Sequence, residues 1–361
     1  MAYKIGDSIV VDNDSSSYLQ TDIVAYKYKT VLAYGYVAGG YEGAEAWTDI
    51  GRVTNSTDQT IHIGAVLDGG SAYNTGASTL STLFIFGTHG AKTSGIAWDD
   101  GTFNTGGSNG TISNGYGIAD TYVEGFNMMT ETMKAHHTKF DMARQRNDVG
   151  VSFKEEQICW IMGGYSGTDI EKMDLTNETM LTATPTLPWV PDDESDRYPV
   201  SSLNDQYQSY VYGKYGAATT EGSGAKFNMT SETFSGATTG SGWGAHGQQK
   251  GINSKDHKGW AGNEGSYSGG YNMREWNLIT DSLVGTFAKV LIGSDGSGEE
   301  NYTMGQDHCY MLGVYGGVTV TLQSNDSMKF TYATNAQIVN PAGLSPSWQD
   351  GMSSAACGWR A

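Results

Sequence analysis

The chain has little of what would mark several common function classes. Among its 361 residues there are three cysteines, Cys159, Cys309 and Cys357, far apart and without paired spacing. That excludes a disulfide framework and offers no zinc pattern. No apolar run reaches the roughly 18 residues of a membrane span, and Met1-Ala2-Tyr3-Lys4-Ile5-Gly6-Asp7 holds no uninterrupted apolar stretch of a secretory signal. Charge is sparse at 17% and one-sided, with 21 basic against 39 acidic residues. A net charge of −18 argues against nucleic acid or an anionic membrane as partner, and favours solubility or docking to a basic surface. Catalytic signatures are missing too: there is no His-Glu-x-x-His, no Gly-x-Ser-x-Gly, no phosphate-cradling loop and no convincing carboxylate pair. On this basis no enzyme, no metal and no cofactor are expected.

What the chain has is glycine and aromatic rings: 50 Gly, 22 Tyr, 10 Phe and 9 Trp, against 6 Pro. The glycines are ordered. Short strand-like runs end at Gly39, Gly87, Gly163, Gly213, Gly262 and Gly313, at gaps of 48, 76, 50, 49 and 51 residues. Each run is answered by a hydrophobic anchor (Val53, Phe126, Met173, Phe227, Trp276 or Phe330), usually then Asn, Asp or Thr, and a Thr/Ser/Glu/Asp turn. From glycine to anchor is 14, 39, 10, 14, 14 and 17 residues. The second interval is therefore longer by about as much as the 76-residue gap, so one insertion inside one repeat explains both. A repeat of about 50 residues built of strands and turns predicts a β-propeller of the kelch type.

The fold class expected is all-β, with six blades over residues 31–361, an insertion at about 88–122, and residues 1–30 as a separate lead-in. A seventh blade inside the insertion is the competing count. The segment Gly351–Trp359 resembles Arg146–Phe153, the run before the third glycine. The C-terminus is thus expected to supply the early strand of a blade whose other strands begin near Val31, closing the ring and removing its edges. Cys159-Trp160-Ile161-Met162 and Cys309-Tyr310-Met311-Leu312 read as strands covered on both faces. Their cysteines are expected to be small buried residues. The Thr-Ser-Glu-Thr tails are expected to close hairpins through side-chain to backbone hydrogen bonds.

Function in such a scaffold is expected in loops. Candidate partner-binding residues are Trp98, Asp99 and Phe103 in the insertion, Trp189 between Pro188 and Pro191, Trp243 in a glycine-rich stretch, and Ile5 and Val10 in the lead-in. His246 and His257, and the acidic loops Asp12–Ser16 and Ser294–Asn301, lack the ligand spacing of a metal site.

Gly39-Gly40-Tyr41 with Trp47, Gly163-Gly164-Tyr165, and Gly269-Gly270-Tyr271 with Trp276 resemble the double glycine, tyrosine and spaced tryptophan of kelch-like proteins. The tail Phe/Met-Asn/Asp-x-x-Thr/Ser-Glu-Thr resembles kelch-like proteins of tailed phages, notably phages of cyanobacteria. Lys4–Asn13 is similar to the lead-in of structural proteins of such virions. The resemblance implies a non-enzymatic virion protein of the neck, tail or fibre region, a rigid platform touching other virion proteins and copies of itself. Two alternatives are a carbohydrate-binding module contacting a host-surface glycan through Trp98, Trp189 or Trp243, and a polysaccharide hydrolase with paired carboxylates.

Overall fold

The computed structural model describes residues 3–5, 8–11, 34–39, 41–42, 45–46, 49–67, 75–79, 81–86, 120–134, 138–144, 149–154, 158–163, 168–182, 185–188, 201–204, 208–214, 222–239, 252–253, 257–263, 272–288, 301–304, 307–312, 328–339 and 356–360. These residues form strands and turns, with no helix among them. At the N-terminal end β1 (Tyr3–Ile5) pairs antiparallel with β2 (Ser8–Val11).

The chain continues through β3 (Tyr34–Ala38), β4 (Tyr41–Glu42), β5 (Glu45–Ala46), β6 (Asp49–Thr54) and β7 (Gln59–Val66). Next come β8 (Thr75–Ser78), β9 (Thr82–Phe86), β10 (Asp120–Asn127), β11 (Thr132–Met133) and β12 (Thr138–Arg144). Then follow β13 (Val149–Lys154), β14 (Ile158–Gly163), β15 (Ile170–Asp174), β16 (Thr179–Leu181), β17 (Ser201–Asn204), β18 (Gln208–Lys214), β19 (Gly222–Asn228) and β20 (Thr233–Thr239). The last are β21 (Ile252–Asn253), β22 (Lys258–Asn263), β23 (Asn272–Asn277), β24 (Ser282–Ala288), β25 (Asn301–Met304), β26 (His308–Leu312), β27 (Met328–Thr331), β28 (Ala336–Val339) and β29 (Ala356–Arg360).

Apart from the small pairs β1–β2 and β4–β5, the described strands assemble into six antiparallel sheets. In order these are β29-β3-β6-β7, β8-β9-β10-β11 with β12 beside β10, β13-β14-β15-β16, β17-β18-β19-β20, β21-β22-β23-β24 and β25-β26-β27-β28. The first sheet draws its first strand from the far end of the chain: Ala356 lies opposite Ala38 and Arg360 opposite Tyr34. In the second sheet β9 and β10 pair directly although 33 residues, 87–119, separate them in the chain.

Strand alternation explains the apolar runs of the second strands β9 and β14. Successive residues point to opposite faces, and here both faces meet another sheet. Leu83 and Ile85 pack with Tyr36, Ala38 and Ile50 of the first sheet, whereas Phe84 and Phe86 pack with Cys159, Ile161 and Met173 of the third. Trp160 and Met162 turn the other way, onto Ala225, Phe227 and Met229 of the fourth sheet. Between the fifth and sixth sheets, Trp260 and Met273 meet Cys309, Met328, Phe330 and Tyr332. Cys159 and Cys309 form no disulfide and are fully buried core residues, as expected, and burial pushes the Cys159 thiol far above its ordinary range. The core therefore lies between sheets rather than within any one of them.

Candidate functional site

The antiparallel order gives the six sheets two unlike ends. Links from third to fourth strand are tight turns at 55–58, 128–131, 175–178, 229–232, 278–281 and 332–335. Links from first to second strand, such as 79–81, 155–157 and 305–307, leave from the same end and are equally short. The remaining links leave from the opposite end. They include 87–119, 134–148, 182–200, 240–251, 289–300 and 313–327.

At the tight end four of the six turns are built the same way, those whose third strand ends in Asn or Asp; β6 and β27 end in Thr. The Asn or Asp that ends the third strand turns its side chain back onto the turn. Asn127 Oδ1 accepts the N–H groups of Met129 and Thr130 at 2.9 and 3.1 Å. Asp174, Asn228 and Asn277 do the same for their own turns, at 2.8–3.0 Å. The Asn177 amides hold the Asp174 carboxylate below its usual pKa. Thr and Ser of the tail bond one another across the turn, as in Thr130–Thr132 and Ser231–Thr233 at 2.7 Å. The expected hairpin closure is present, but at these four turns the Asn or Asp accepts the backbone N–H groups, whereas in the sixth turn a tail hydroxyl, Thr334 Oγ1, accepts from Ala336 at 3.3 Å.

The last turn residue is Asp58, Glu131, Glu178, Glu232, Asp281 or Asn335, each left-handed at φ 53–56°. That conformation costs a side-chain-bearing residue about 1–2 kcal/mol, so a compensating contact is required. The contact is with the sheet before. Arg52 donates to Glu131 at 2.5 Å, Lys172 pairs with Glu232, and Lys226 with Asp281 at 2.6 Å. Lys329 of the sixth sheet pairs with Asp58 of the first, also at 2.6 Å. The basic residue stands just before the hydrophobic anchor, opposite an aromatic residue of the second strand. Lys172 lies 5.6 Å from the Trp160 ring centre and Lys329 5.5 Å from that of Tyr310. Tyr36 and Tyr310 add phenol hydrogen bonds to Glu131 and Asp58. Burial opposes the charge on Arg52, yet Glu131 holds its pKa above the ordinary value.

Two junctions depart from this pattern and each is compensated. In the fifth sheet Glu275 replaces the cation, and the turn residue opposite is Asn335 rather than an acid. Asn335 donates to Glu275 Oε2 at 2.8 Å and accepts the Trp260 indole N–H at 3.0 Å, while Lys258 pairs with Glu275 Oε1 at 2.8 Å. In the second sheet the cation's position is Gly125. A Cβ there would meet Lys134 Cδ at 3.0 Å, because Lys134 lies across the glycine to reach Glu178. Lys134→Ala should therefore weaken this junction by about 0.2–1 kcal/mol. Adding Gly125→Lys should recover most of that loss, as read by urea denaturation of the single and double variants.

The sequence-derived candidates are not brought together by the described residues. Ile5 lies in β1 and Val10 in β2. Trp98, Asp99, Phe103, Trp189 and Trp243 lie outside the described residues. The acidic turn residues, which sequence reading left as hairpin tails, instead carry the contacts between sheets. Among the described residues no group of three or more His, Cys, Asp or Glu side chains is placed to hold a metal, and no helix is long and apolar enough to cross a membrane.

No family model matches the chain, and no curated protein matches it by sequence. Among solved structures, the fold is similar to that of YjhT, a bacterial β-propeller protein, with a TM-score of 0.54 at 11% identity over 84% of this chain and 97% of that one. This likeness overturns the reading as a non-enzymatic virion part and the placement in neck, tail or fibre of a bacteriophage or cyanophage. The physical reason lies in the tail motif that suggested a virion. Its Asn/Asp caps the turn and its Glu pairs with the next sheet, so the scaffold itself demands those residues. The exclusion of an enzyme falls as well, because a fold shared with this propeller leaves catalysis open. What the likeness establishes for the chain is an all-β fold of the propeller type.

Proposed function

We propose that the chain is a six-bladed propeller, closed by the pairing of β29 with β3, that binds carbohydrate through the end from which its longer connections leave. Closure is supported by the contacts of β29 with β25 of the sixth sheet and β8 of the second, and by the Lys329–Asp58 pair. The observation that carries the binding reading is strand direction. The links 87–119, 182–200 and 240–251, which hold Trp98, Trp189 and Trp243, all start from strands ending at the same end.

One of these links is anchored within the described residues. Leu187 is buried against Ile170 and Met162, its N–H donates to the Thr168 carbonyl at 2.7 Å, and Thr186 bridges to Asp169. That fixes the chain two residues before Trp189. Indole faces beside carboxylates suit sugars, which present an apolar C–H face rimmed by hydroxyls. Asp99 and Asp100 follow Trp98, and Asp192, Asp193 and Glu194 come soon after Trp189. The test is retention of the wild type and of Trp98→Ala, Trp189→Ala and Trp243→Ala on a panel of immobilised polysaccharides. We expect wild-type retention and a loss of about tenfold in affinity, or ~1.4 kcal/mol, for at least one variant with an unchanged unfolding midpoint. Retention unaffected in all three would refute the site. Release of reducing ends in the same samples would assign hydrolysis in place of simple binding.

A further inference from the structure

We propose that the junction between the sixth and first sheets is an acid-sensitive clasp, loosened when His308 takes up a proton. At the first position of its second strand this junction carries a histidine, a group that titrates in weak acid. Residues in register with His308 in the other second strands are Tyr34, Thr82, Ile158, Gln208 and Lys258, none of which changes charge between pH 7 and 5.

The hydrogen bonds fix the state of the cluster at neutral pH. Tyr310 has one phenol proton, and its oxygen lies against Asp58 Oδ1, with the Asn55 carbonyl farther away at 3.4 Å. The charged carboxylate takes that proton, so toward His308 Nε2, at 3.0 Å, the phenol oxygen is an acceptor. His308 therefore donates from Nε2 to Tyr310, its ring edge-on to the phenol at 4.9 Å between centres.

The groups facing it are Tyr310 on its own strand, Lys329 on β27, Asp58 on the β6–β7 turn, and Asp307 just before β26. Lys329 and Asp58 already balance each other at 2.6 Å. A proton on His308 adds a second cation to this half-buried group. Burial and Lys329 oppose that charge, Asp58 and Asp307 favour it, and the net effect holds the His308 pKa below its ordinary value. A depressed pKa means that the stabilisation is complete above the unfolded-state value of about 6.5 and is lost as pH falls toward the folded value. The loss falls on the sheet assembled from both ends of the chain, β29 with β3.

The test is amide hydrogen exchange of the full chain at pH 7 and pH 5, corrected for the intrinsic pH dependence of exchange and read in peptides covering 52–60 and 326–340. Loss of protection there at pH 5, with none at the Lys172–Glu232 junction, is the expected result. His308→Gln, which keeps a donor to Tyr310 but does not titrate, should remove the difference. Equal protection at both pH values, equal loss at both junctions, or an unchanged loss in His308→Gln would each overturn the proposal. Should His308→Gln fail to fold, the comparison of junctions within the wild type still decides it.

Discussion

Trp160→Ala is expected to lower the unfolding free energy by about 3–5 kcal/mol, seen as a shifted urea midpoint at unchanged slope. Trp160 is 1% exposed and fills the space between the third and fourth sheets. It meets Phe227 edge-on at 5.6 Å between ring centres, and Phe227 in turn packs on Phe234 at 4.9 Å. Truncation leaves a cavity bounded by two sheets whose hydrogen-bonded strands cannot collapse into it. Trp160→Phe should cost far less. The Trp160 indole N–H is buried without an acceptor among the described residues, so phenylalanine removes volume and an unsatisfied donor together. Trp260→Phe makes the contrast, because it also forfeits the 3.0 Å bond to Asn335, worth a further ~0.5–1.5 kcal/mol. Equal losses for the two Trp→Phe variants would show that these donors do not distinguish the junctions.

These junctions show how far the fold was legible. The repeat could be read because two of its features are local. A glycine ends the second strand, and an Asn, Asp or Thr follows the anchor of the third. Burial of Cys159 and Cys309 followed from their place in continuous apolar runs. The acidic turn residues were not legible in the same way. Their partners lie in the preceding sheet, as Arg52 does for Glu131 and Lys172 for Glu232, so each turn read alone looks like a solvated loop. A signal was nevertheless present. Arg52, Lys172, Lys226 and Lys329 recur just before the anchor, and where Glu275 breaks that pattern the opposing acid is replaced too, by Asn335. The candidate binding site was legible only as tryptophans in loops, because loop sequences share no repeat that would align them. The virion reading failed for the converse reason: it took residues that the scaffold requires as a mark of location.

Asp58→Ala is the sharpest probe of whether the ends of the array are joined. Asp58 accepts from both Lys329 and Tyr310, two groups encoded more than 250 residues away. Removing it strands a half-buried ammonium and a phenol, and places alanine at φ 56°. The expected cost is about 2–3 kcal/mol, since hydrogen bonds to charged groups carry roughly 1.5–3 kcal/mol. Asp58→Asn should be milder, because Asn tolerates the left-handed region and already occupies it at position 335. Burial raises the Asp58 pKa, but Lys329 and Tyr310 outweigh it and hold the carboxylate below 3.8. Its contribution is thus present above the unfolded-state value and lost as pH falls through the folded one, so wild type and Asp58→Ala should converge in strong acid. In a closed ring the loss should appear on both sides of the junction, as a lower urea midpoint and weakened protection in β6–β7 and in β26–β27. In an open array Asp58 would meet neither Lys329 nor Tyr310, and its substitution would leave β26–β27 protected as in the wild type. That result would refute closure while leaving the six-sheet fold intact.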